Sequence, residues 1–345
     1  MFKQRLYIDL GTANTLVMHG SRGLVANEPS VVAYIQRDTR RQIVAVGTEA
    51  KSKIGRTPGK LMADHPLRDG VVADLDSTQA LLRYFIQAAS PRFSFTRPSL
   101  VISLPYGVSD VEKKAVRDCA ISAGASDVTL IEEPMAAAIG ADLPVHAARG
   151  NMVIDIGGGT TEAAVISLYG IVACEAVRVG GHAFDESIVE LLRRRHNLII
   201  GLPTAERVKI AIGSALSGSD EFAPVRGLDF TSGLPREVSI SAEEIHQALD
   251  PHLLEILSAV KRALQLTPPD LLPDLIKTGA VLAGGGALLK GIRERFEREL
   301  KIPVRIAEDP LLAIANGGRK TLIDKDLLSK ISLPESHRGL SAVTF

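Results

Sequence analysis

Cysteine is scarce in this chain, and neither sign of charge is in excess. Only Cys119 and Cys174 occur in 345 residues, and both stand among apolar neighbours. This setting favours two small buried side chains over a disulfide or a metal site. Forty basic residues balance forty acidic ones, so the formal net charge is zero. Without a positive field the chain is not expected to bind nucleic acid.

Long apolar runs are also missing. The longest uncharged stretch near the middle, Ala163 to Cys174, is far shorter than the roughly 20 apolar residues that a membrane-spanning helix requires. The first residues, MFKQRLYIDLGT, run directly into a strand-like segment and lack the apolar core and cleavage site of a secretory signal. These absences predict a cytoplasmic protein.

Two common nucleotide-binding motifs are absent as well. The sequence contains neither a G-x-x-x-x-G-K-[ST] loop nor a G-x-G-x-x-G fingerprint. P-loop and dinucleotide-binding folds are therefore disfavoured.

The composition that remains is that of a soluble globular protein, with 46% hydrophobic and 23% charged residues. A length of 345 residues predicts two domains. Short β-branched runs alternate with helical patterns, as in RPSLVISLP followed by SDVEKKAVRDCAISAG and ASDVTLIEEP. This alternation predicts an α/β fold with mixed or largely parallel sheets.

Two helices can be placed from local signals. Ser109 and Glu112 form a capping box at the start of the first, and Gly124 marks its end. Its predicted buried face consists of Val111, Ala115, Val116 and Cys119. The second is expected from His252 to Leu266, with an apolar stripe of Leu253, Leu254, Ile256, Leu257, Val260 and Leu264. Between the helices, the polar stretch from Ser217 to Pro235 suggests a smaller peripheral subdomain.

One pattern occurs twice. LYIDLGTANTLV near the start and MVIDIGGGTTEAAVI near the middle share an apolar strand, Asp, an apolar residue, Gly, small residues, Thr and a second strand. Each segment predicts a β-hairpin, because Gly and Asn supply the positive φ values of tight turns. The repeat indicates two related half-molecules.

The two turns have the composition of anion-binding sites. Gly11 to Asn14 and Gly157 to Thr161 would expose backbone N–H groups that suit phosphate oxygens. Asp9 and Asp155 end the strands that enter them, and two carboxylates beside phosphates call for a cation such as Mg²⁺. The alternative is that both aspartates only cap their turns. A third cluster, Gly284 to Gly286, could let the backbone lie against a nucleoside, although strand-glycine-helix junctions are common in α/β proteins.

Several motifs together resemble one family. DLGTANT, IEEPMAAAIG, DIGGGTTEAAVISL, TAERVKIAIGSA and LAGGGALL, in this order and spacing, resemble the actin-like ATPases and most closely the MreB family. The resemblance runs from about Tyr7 to Leu322. It implies an α/β, actin-like fold: two related lobes, each a mixed sheet flanked by helices, with the nucleotide between them. The implied boundaries are 1–142 plus 317–345, with a small subdomain at about 33–75, and 143–316, with one at about 181–242.

The resemblance also implies the ligands, ATP and Mg²⁺, and a set of phosphate contacts. Asp9 and Asp155 would organise the metal, partly through water. The β- and γ-phosphates would be held by residues of both turns: Thr12, Ala13, Asn14, Gly157, Gly158, Gly159 and Thr160.

Further roles follow from the same resemblance. Glu133 would orient the attacking water, with Asp155 and Thr160 as the other catalytic residues, which suits phosphoryl transfer. On sequence alone, the preferred interpretation of Glu133 before Pro134 is a helix-start acid that interacts favourably with the helix dipole. The ribose and base would contact Glu206, Arg207, Val208, Lys209, Gly284, Gly285, Gly286 and Ala287.

Small residues in two segments resemble the connections between the lobes of the family. Three other features depart from the family pattern. The expected hinges contain Ala136, Ala137, Ala138 and Gly140 in one segment and Gly317 and Gly318 in the other. His182 stands where the resemblance leads us to expect Asp, which would weaken contacts near the nucleotide. Arg319 stands where a small residue is usual, and the tail after Leu333 is unfamiliar and expected to be disordered.

The function implied is a slow ATPase that polymerises into filaments on the inner membrane face and organises cell shape and wall synthesis. Its partners would be further copies of itself, that membrane surface, and cell-shape and wall-synthesis membrane proteins. Phe93 and Phe95, flanked by arginines, could insert into lipid, or could be buried at a strand edge. The alternatives are a sugar or carboxylate kinase, for which no acceptor site is evident, and a chaperone-type ATPase, which would need a further substrate-binding domain.

Overall fold

The computed structural model describes residues 4–37, 40–54, 61–68, 70–90 and 96–334. Phe93, Phe95 and the tail from residue 335 onward lie outside this part, and predictions about them stay untested. The strands are β1 (Arg5–Leu10), β2 (Asn14–His19), β3 (Gly23–Pro29), β4 (Val32–Arg37), β5 (Arg40–Val46), β6 (Leu61–Asp64), β7 (Leu67–Arg68), β8 (Val71–Val72), β9 (Ser99–Leu104), β10 (Asp127–Glu132), β11 (Asn151–Ile156), β12 (Thr161–Ser167), β13 (Gly170–Val177), β14 (Leu198–Ile199), β15 (Phe222–Asp229), β16 (Pro235–Ser241), β17 (Ala280–Ala283) and β18 (Val304–Ile306).

The helices lie between and after these strands. They are α1 (Thr48–Lys51), α2 (Leu75–Ala89), α3 (Asp110–Ala123), α4 (Glu133–Gly140), α5 (Gly181–His196), α6 (Leu202–Ile212), α7 (Ala242–Leu266), α8 (Leu272–Thr278), α9 (Ile292–Leu300), α10 (Ala313–Ile323) and α11 (Lys325–Ile331), with 3₁₀ turns at Pro269–Leu271, Gly285–Leu288 and Pro310–Leu312. Among the described residues, no helix has both the length and the apolarity needed to cross a bilayer.

Two five-stranded sheets share one topology. The first has the order β3-β2-β1-β9-β10 and the second β13-β12-β11-β17-β18. In each, three antiparallel strands are followed by two that run parallel to the central strand, β1 or β11. The prediction of a mixed α/β fold with two related halves is confirmed.

The repeated sequence pattern forms the equivalent hairpin of each sheet, as predicted. Asp9 and Asp155 both occupy the next-to-last position of the strand that enters the turn. Asp9 faces Leu16 on β2, and Asp155 faces Glu162 on β12. The two aspartates therefore hold equivalent places in the two halves.

A shared apolar core lies between the two sheets. It includes Tyr7 and Leu16 from the first sheet, Val153 and Ala164 from the second, and small residues of α4 and α10. Separate cores lie on the outer face of each sheet, one packed against α2 and α3 and the other against α5, α6 and α7. This layering fixes the hairpin ends of both sheets at one cleft.

Helices α4 and α10 cross with their backbones almost in contact. A Cβ on Gly140 would lie 1.7 Å from the carbonyl oxygen of Ala313, and one on Gly317 would lie 1.8 Å from that of Ala136. A Cβ on Gly318 would likewise overlap the ring of Tyr7 at 2.2 Å. Close packing alone thus requires these glycines, while their role as hinges stays a prediction.

The prediction for α3 was right at both of its ends and wrong in part of its buried face. The capping box of Ser109 and Glu112 is present in α3, and Gly124 follows it with φ of 120°. Val111 was predicted to be buried but is 80% exposed, because α3 packs through Val116, Cys119 and Ala120. The predicted face was one turn too long.

Helix α7 starts at Ala242, well before the predicted start at His252. Ser241 and Glu244 form its capping box, and Pro251 lies inside the helix. Ile245 and Leu249 extend the buried stripe across the proline, so tertiary packing outweighs its helix-breaking tendency. Leu254, which was included in that stripe, is 48% exposed.

The remaining local predictions concern the smaller elements. The stretch from Ser217 to Pro235 contains β15, which pairs with β14 and β16 in a separate three-stranded sheet. Cys119 is buried as predicted, and Cys174 is half-buried.

Candidate functional site

A cavity of about 410 Å³ lies between the two hairpin ends. This volume is within the range of small-molecule sites in proteins. The cavity wall contains these residues singled out from the sequence: Asp9, Thr12, Ala13, Asn14, Glu133, Asp155, Gly157, Gly158, Gly159, Thr160, Glu206, Lys209, Gly284, Gly285 and Gly286.

Three of the predicted contacts lie off this wall. Arg207 is exposed and donates to the hydroxyl oxygen of Thr204, while Val208 and Ala287 are buried in the core of the second half. Glu206 and Lys209 are three residues apart and share a face of α6, so the two residues between them point elsewhere. The wall also includes residues that sequence reasoning did not select, among them Gly70, Asp185, Lys290, Pro310 and Leu311.

The first hairpin turn is held by Ser30, which lies on the segment after β3. The Ser30 hydroxyl donates to the carbonyl oxygen of Gly11 at 2.6 Å, and its amide donates to that of Ala13 at 3.0 Å. The hydroxyl oxygen of Thr12 accepts from the amide of Gly70 at 2.9 Å. These bonds fix the turn and engage carbonyl oxygens that would otherwise repel an anion.

The second turn is held by the first residues of α5. The amide of Gly181 donates to the carbonyl oxygen of Gly157 at 3.0 Å, and that of His182 donates to Gly158 at 2.8 Å. A Cβ on Gly180 would lie 2.6 Å from the carbonyl oxygen of Gly157, so this approach requires glycine. The start of α5 is therefore part of the turn's support.

The two turns meet each other across the cleft. A Cβ on Gly158 would lie 2.7 Å from the Cβ of Ala13. Residues from distant parts of the chain thus close one end of the cavity. Both turns would contact a polyphosphate bound in the cavity at this end.

Three buried carboxyl groups face this point. Burial, reinforced by the charge of Asp155, raises the pKa of Asp9 to about 7. Burial also raises the pKa of Asp155 to about 7. The pKa of Glu133 is raised well above its usual value by burial and by the nearby Glu162. One oxygen each of Asp155 and Glu133 has no hydrogen-bond partner within the described part of the chain.

The residues present fit a magnesium ion that arrives with phosphate groups. Two buried carboxylates that repel each other are stabilised by a divalent cation, and Mg²⁺ is typically held by one or two carboxylates together with phosphate oxygens and water. No cluster of three or more His, Cys, Asp or Glu side chains suited to a metal occurs among the residues that the structure describes. The donor set therefore suits a metal shared with a ligand better than a metal held by protein alone.

The side of the cavity formed by α5 and α6 carries an ion pair. The Lys209 ammonium lies 2.8 Å from a carboxylate oxygen of Asp185 and donates to the carbonyl oxygen of Gly181 at 2.9 Å. Both side chains are largely buried. Burial raises the pKa of Asp185 to about 6, against the opposing effect of Lys209.

The third glycine cluster packs against the second hairpin. Gly284 has φ of 77°, and a Cβ on it would lie 2.4 Å from the carbonyl oxygen of Ile156. A Cβ on Gly286 would lie 2.2 Å from the side chain of Ile156. The close approach of this backbone to Ile156 thus requires glycine at both positions. The glycines also leave the part of the cavity wall beside Leu311 without side chains.

The two residues noted as departures have different surroundings. His182 lines the cavity, whereas Arg319 donates from α10 to the carbonyl oxygen of Gly20 at 3.3 Å, away from the wall. Arg319 thus contributes a packing contact and not a cavity contact.

Known proteins resemble this chain along nearly its whole length. The family model described as MreB/Mbl protein matches residues 3–330. The cell shape-determining protein MreB of Escherichia coli strain K12 is 49% identical over 328 residues, which are 93% of this chain and 94% of that protein. The cell shape-determining protein Mbl of Bacillus cereus is 44% identical over 334 residues, 96% of this chain and 100% of that protein.

Solved structures agree with these matches. The crystal structure of MreB 5 of Spiroplasma citri bound to AMPPNP superimposes with a TM-score of 0.89 at 34% identity and covers 96% of this chain and 98% of that one. The same protein bound to ADP gives a TM-score of 0.88 at 35% identity, covering 95% and 98%. The predicted actin-like fold is confirmed.

Proposed function

The chain belongs to the MreB/Mbl family, and from this premise we propose that it binds ATP with Mg²⁺, hydrolyses it slowly and polymerises into filaments. The observation that carries the nucleotide part is the meeting of two equivalent turns, each with its own aspartate, at one cavity. The related MreB 5 structures contain AMPPNP and ADP, which supports an adenine nucleotide here. We further propose that the lobes have the boundaries 1–142 plus 317–345 and 143–316.

The phosphates are assigned to the two turns. Residues 12–14 and 158–160 would donate backbone N–H groups to the β- and γ-phosphate oxygens, as anion-binding turns do. Gly157 would border the phosphates through its backbone, while its own amide donates to the carbonyl oxygen of Thr160 at 2.9 Å. Asp9 and Asp155 would hold Mg²⁺, in part through its water ligands. The ion would neutralise charge that develops on the phosphates.

The water that attacks the γ-phosphate is assigned to Glu133. Its carboxyl group is buried in the cavity wall and has an oxygen without a partner among the described residues. A raised pKa makes the ionised form of this carboxyl group a stronger proton acceptor near neutral pH, and the bound Mg²⁺ would favour that ionised form. Thr160 and Asp155 complete the proposed catalytic set from the second turn.

The nucleoside is assigned to the far side of the cavity. Glu206 and Lys209 on α6 would contact the ribose and base, and Gly284 to Gly286 would lie along the adenine. Arg207, Val208 and Ala287 would support these residues from outside the wall. Leu288, Leu289 and Leu311 add apolar surface there that an adenine ring would cover.

Filament formation is proposed from the family. The relatives in Escherichia coli and Bacillus cereus are named cell shape-determining proteins. Hydrolysis in a cleft between two halves can change the angle between them and thereby alter a surface shared with neighbouring copies. Nucleotide turnover would then time assembly and disassembly.

Location and further partners are also proposed from the family. We assign the protein to the inner face of the cell membrane, where it would act with cell-shape and wall-synthesis membrane proteins. Phe93 and Phe95 are the candidate lipid contacts. Changing both to serine should abolish binding to anionic liposomes without altering the fold, and unchanged co-sedimentation would remove this assignment.

The kinase and chaperone alternatives are not favoured, because the matched family spans residues 3–330 and its named members determine cell shape. Electron microscopy and pelleting with ATP, with ADP and without nucleotide test the proposal. Filaments whose amount depends on the nucleotide, together with slow phosphate release, are expected. Soluble monomers in every condition, or ATP-dependent phosphorylation of a small metabolite, would refute it.

A further inference from the structure

Two histidines from opposite halves of the molecule meet beside the cavity. His65 follows β6 in the first half, and His182 is the second residue of α5 in the second half. Their ring centroids lie 5.5 Å apart with the planes at 60°, an edge-to-face contact. Both side chains are partly buried.

Each histidine is bonded to a different phosphate turn. The Nδ1 atom of His65 lies 3.2 Å from the carbonyl oxygen of Thr12 in the first turn. A carbonyl oxygen can only accept, so Nδ1 of His65 carries a proton in this bond. The amide of His182 donates to the carbonyl oxygen of Gly158 in the second turn at 2.8 Å. The ring contact therefore joins the two turns at the edge of the cavity, whose wall includes His182.

From this arrangement we infer that His65 and His182 form a latch across the nucleotide cleft and that opening it limits the rate of nucleotide release. The inference rests on the proposed nucleotide function and adds a regulatory element to it. When the halves separate, the ring contact is lost and each histidine stays with its own turn. Edge-to-face aromatic pairs contribute enough free energy to change a release rate by about threefold to tenfold.

A second contact crosses the cleft nearby. The Lys51 ammonium on α1 lies 3.4 Å from a carboxylate oxygen of Glu206 on α6, and both side chains are about 40% exposed. Exposed ion pairs of this kind contribute little. The histidine pair is therefore the main element of the latch, and the ion pair serves as an internal comparison.

The latch requires uncharged rings. Burial lowers the pKa of His182 to about 4, with further lowering by His65, Lys209 and Lys51 against the opposing charge of Glu206. Burial and Lys51 lower the pKa of His65, opposed by its hydrogen bonds to the backbone and by Asp64. In an open cleft both values return toward the ordinary value of about 6.5.

The sign of the pH dependence follows from these directions. A histidine whose pKa is lower in the closed state stabilises closure fully above about pH 6.5, and this contribution is lost as pH falls toward the closed-state value. For a shift from about 6.5 to about 4, closure is about tenfold weaker at pH 5.5 than at pH 7.5. Asp185 and the cavity carboxyl groups titrate in the same range. The contribution of the histidines is therefore the difference in pH dependence between the wild type and a histidine variant.

A double-mutant cycle on the full chain tests the latch. We would measure dissociation of a fluorescent ADP analogue with Mg²⁺ from the wild type, His65→Ala, His182→Ala and the double variant. Each single change should raise the dissociation rate about threefold to tenfold, and the double variant should release no faster than the faster single variant. His19→Ala, outside the cavity wall, should match the wild type, and Lys51→Ala should change the rate by less than twofold.

Each other outcome has a separate meaning. Additive effects of the two histidine changes, or unchanged rates in folded variants, would overturn the latch and leave the nucleotide function intact. Slower release at pH 5.5 in the wild type, abolished by His182→Asn, would mean that the imidazole contacts phosphate instead, which also overturns it. If the wild type fails to bind the ADP analogue at all, the proposed function itself is wrong.

Discussion

Ala13 of the first hairpin turn lies directly against Gly158 of the second, with room for no further carbon atom between them. A Cβ on Gly158 would be 2.7 Å from that of Ala13. The contact joins the equivalent hairpin turns of two related half-molecules at the closed end of the cavity. Any ligand held by both turns depends on this spacing.

Gly158→Ala should therefore weaken Mg-ATP binding by about fivefold to a hundredfold, because the turns must move apart to admit the methyl group. Overpacking of this kind costs about 1–3 kcal/mol, and about 1.4 kcal/mol corresponds to tenfold in affinity. Calorimetric titration with Mg-ATP measures it. Gly170→Ala is the matched control, since its Cβ would meet nothing closer than 3.5 Å. Equal affinity of the two variants for Mg-ATP would contradict the proposal that both turns bind its phosphates.

Glu133→Gln should separate binding from turnover. The amide keeps the shape of the side chain but cannot accept a proton, so ATP affinity should stay within about threefold while phosphate release falls by about 10²-fold or more. Glu132→Gln changes the neighbouring acid, which does not line the cavity, and should leave turnover near that of the wild type. If the Glu133 variant hydrolyses ATP at the wild-type rate, this residue has no catalytic role.

Lys209→Met should destabilise the nucleotide-free protein by about 3 kcal/mol or more, because Asp185 is then left buried without its partner. Adding Asp185→Asn should restore part of this loss, since the uncompensated charge disappears. Urea unfolding of the two variants and the wild type tests both statements. A double variant less stable than Lys209→Met would show that the ion pair is not the source of the effect.

The stability of the nucleotide-free protein should fall as pH rises from about 4 to about 7 and level off by about pH 8. The pKa values of Asp9 and Asp155 are raised to about 7 in the folded state, so the folded state binds more protons than the unfolded state, and their contribution is lost as pH passes that value. The loss is about 1.4 kcal/mol per pH unit for each proton that the folded state holds in excess of the unfolded state. Thermal unfolding across this range measures it.

Magnesium nucleotide should flatten the same pH dependence, since a cation between the two carboxylates favours their charged forms. Asp155→Asn should also flatten it, without any nucleotide. A slope that is unchanged in this variant would show that other groups, such as the buried Glu162, dominate the titration in this range.

The hairpins and their aspartates could be predicted from sequence because their signals are local. Alternating apolar strands, glycines in the turns and the position of Asp9 and Asp155 are all contained within two short segments of the chain. The capping box at Ser109 is equally local. Each of these features was found where the sequence placed it.

What sequence reasoning missed depends on tertiary packing. Ser30 holds the first turn through its hydrogen bond to Gly11, yet no sequence motif links the two residues. The start of α7 was predicted too late in the chain, because the buried stripe that carries the helix across Pro251 is visible only once the core is known. Val208 was placed at the nucleoside as part of a motif, although its helical position directs it into the core.

A crystal structure with Mg-AMPPNP tests the central claim most directly. The account predicts the terminal phosphates beside the contact of Ala13 with Gly158, bonded to backbone amides of both turns, and the metal beside Asp9 and Asp155. A nucleotide bound elsewhere, or phosphates that contact only one of the two turns, would contradict it.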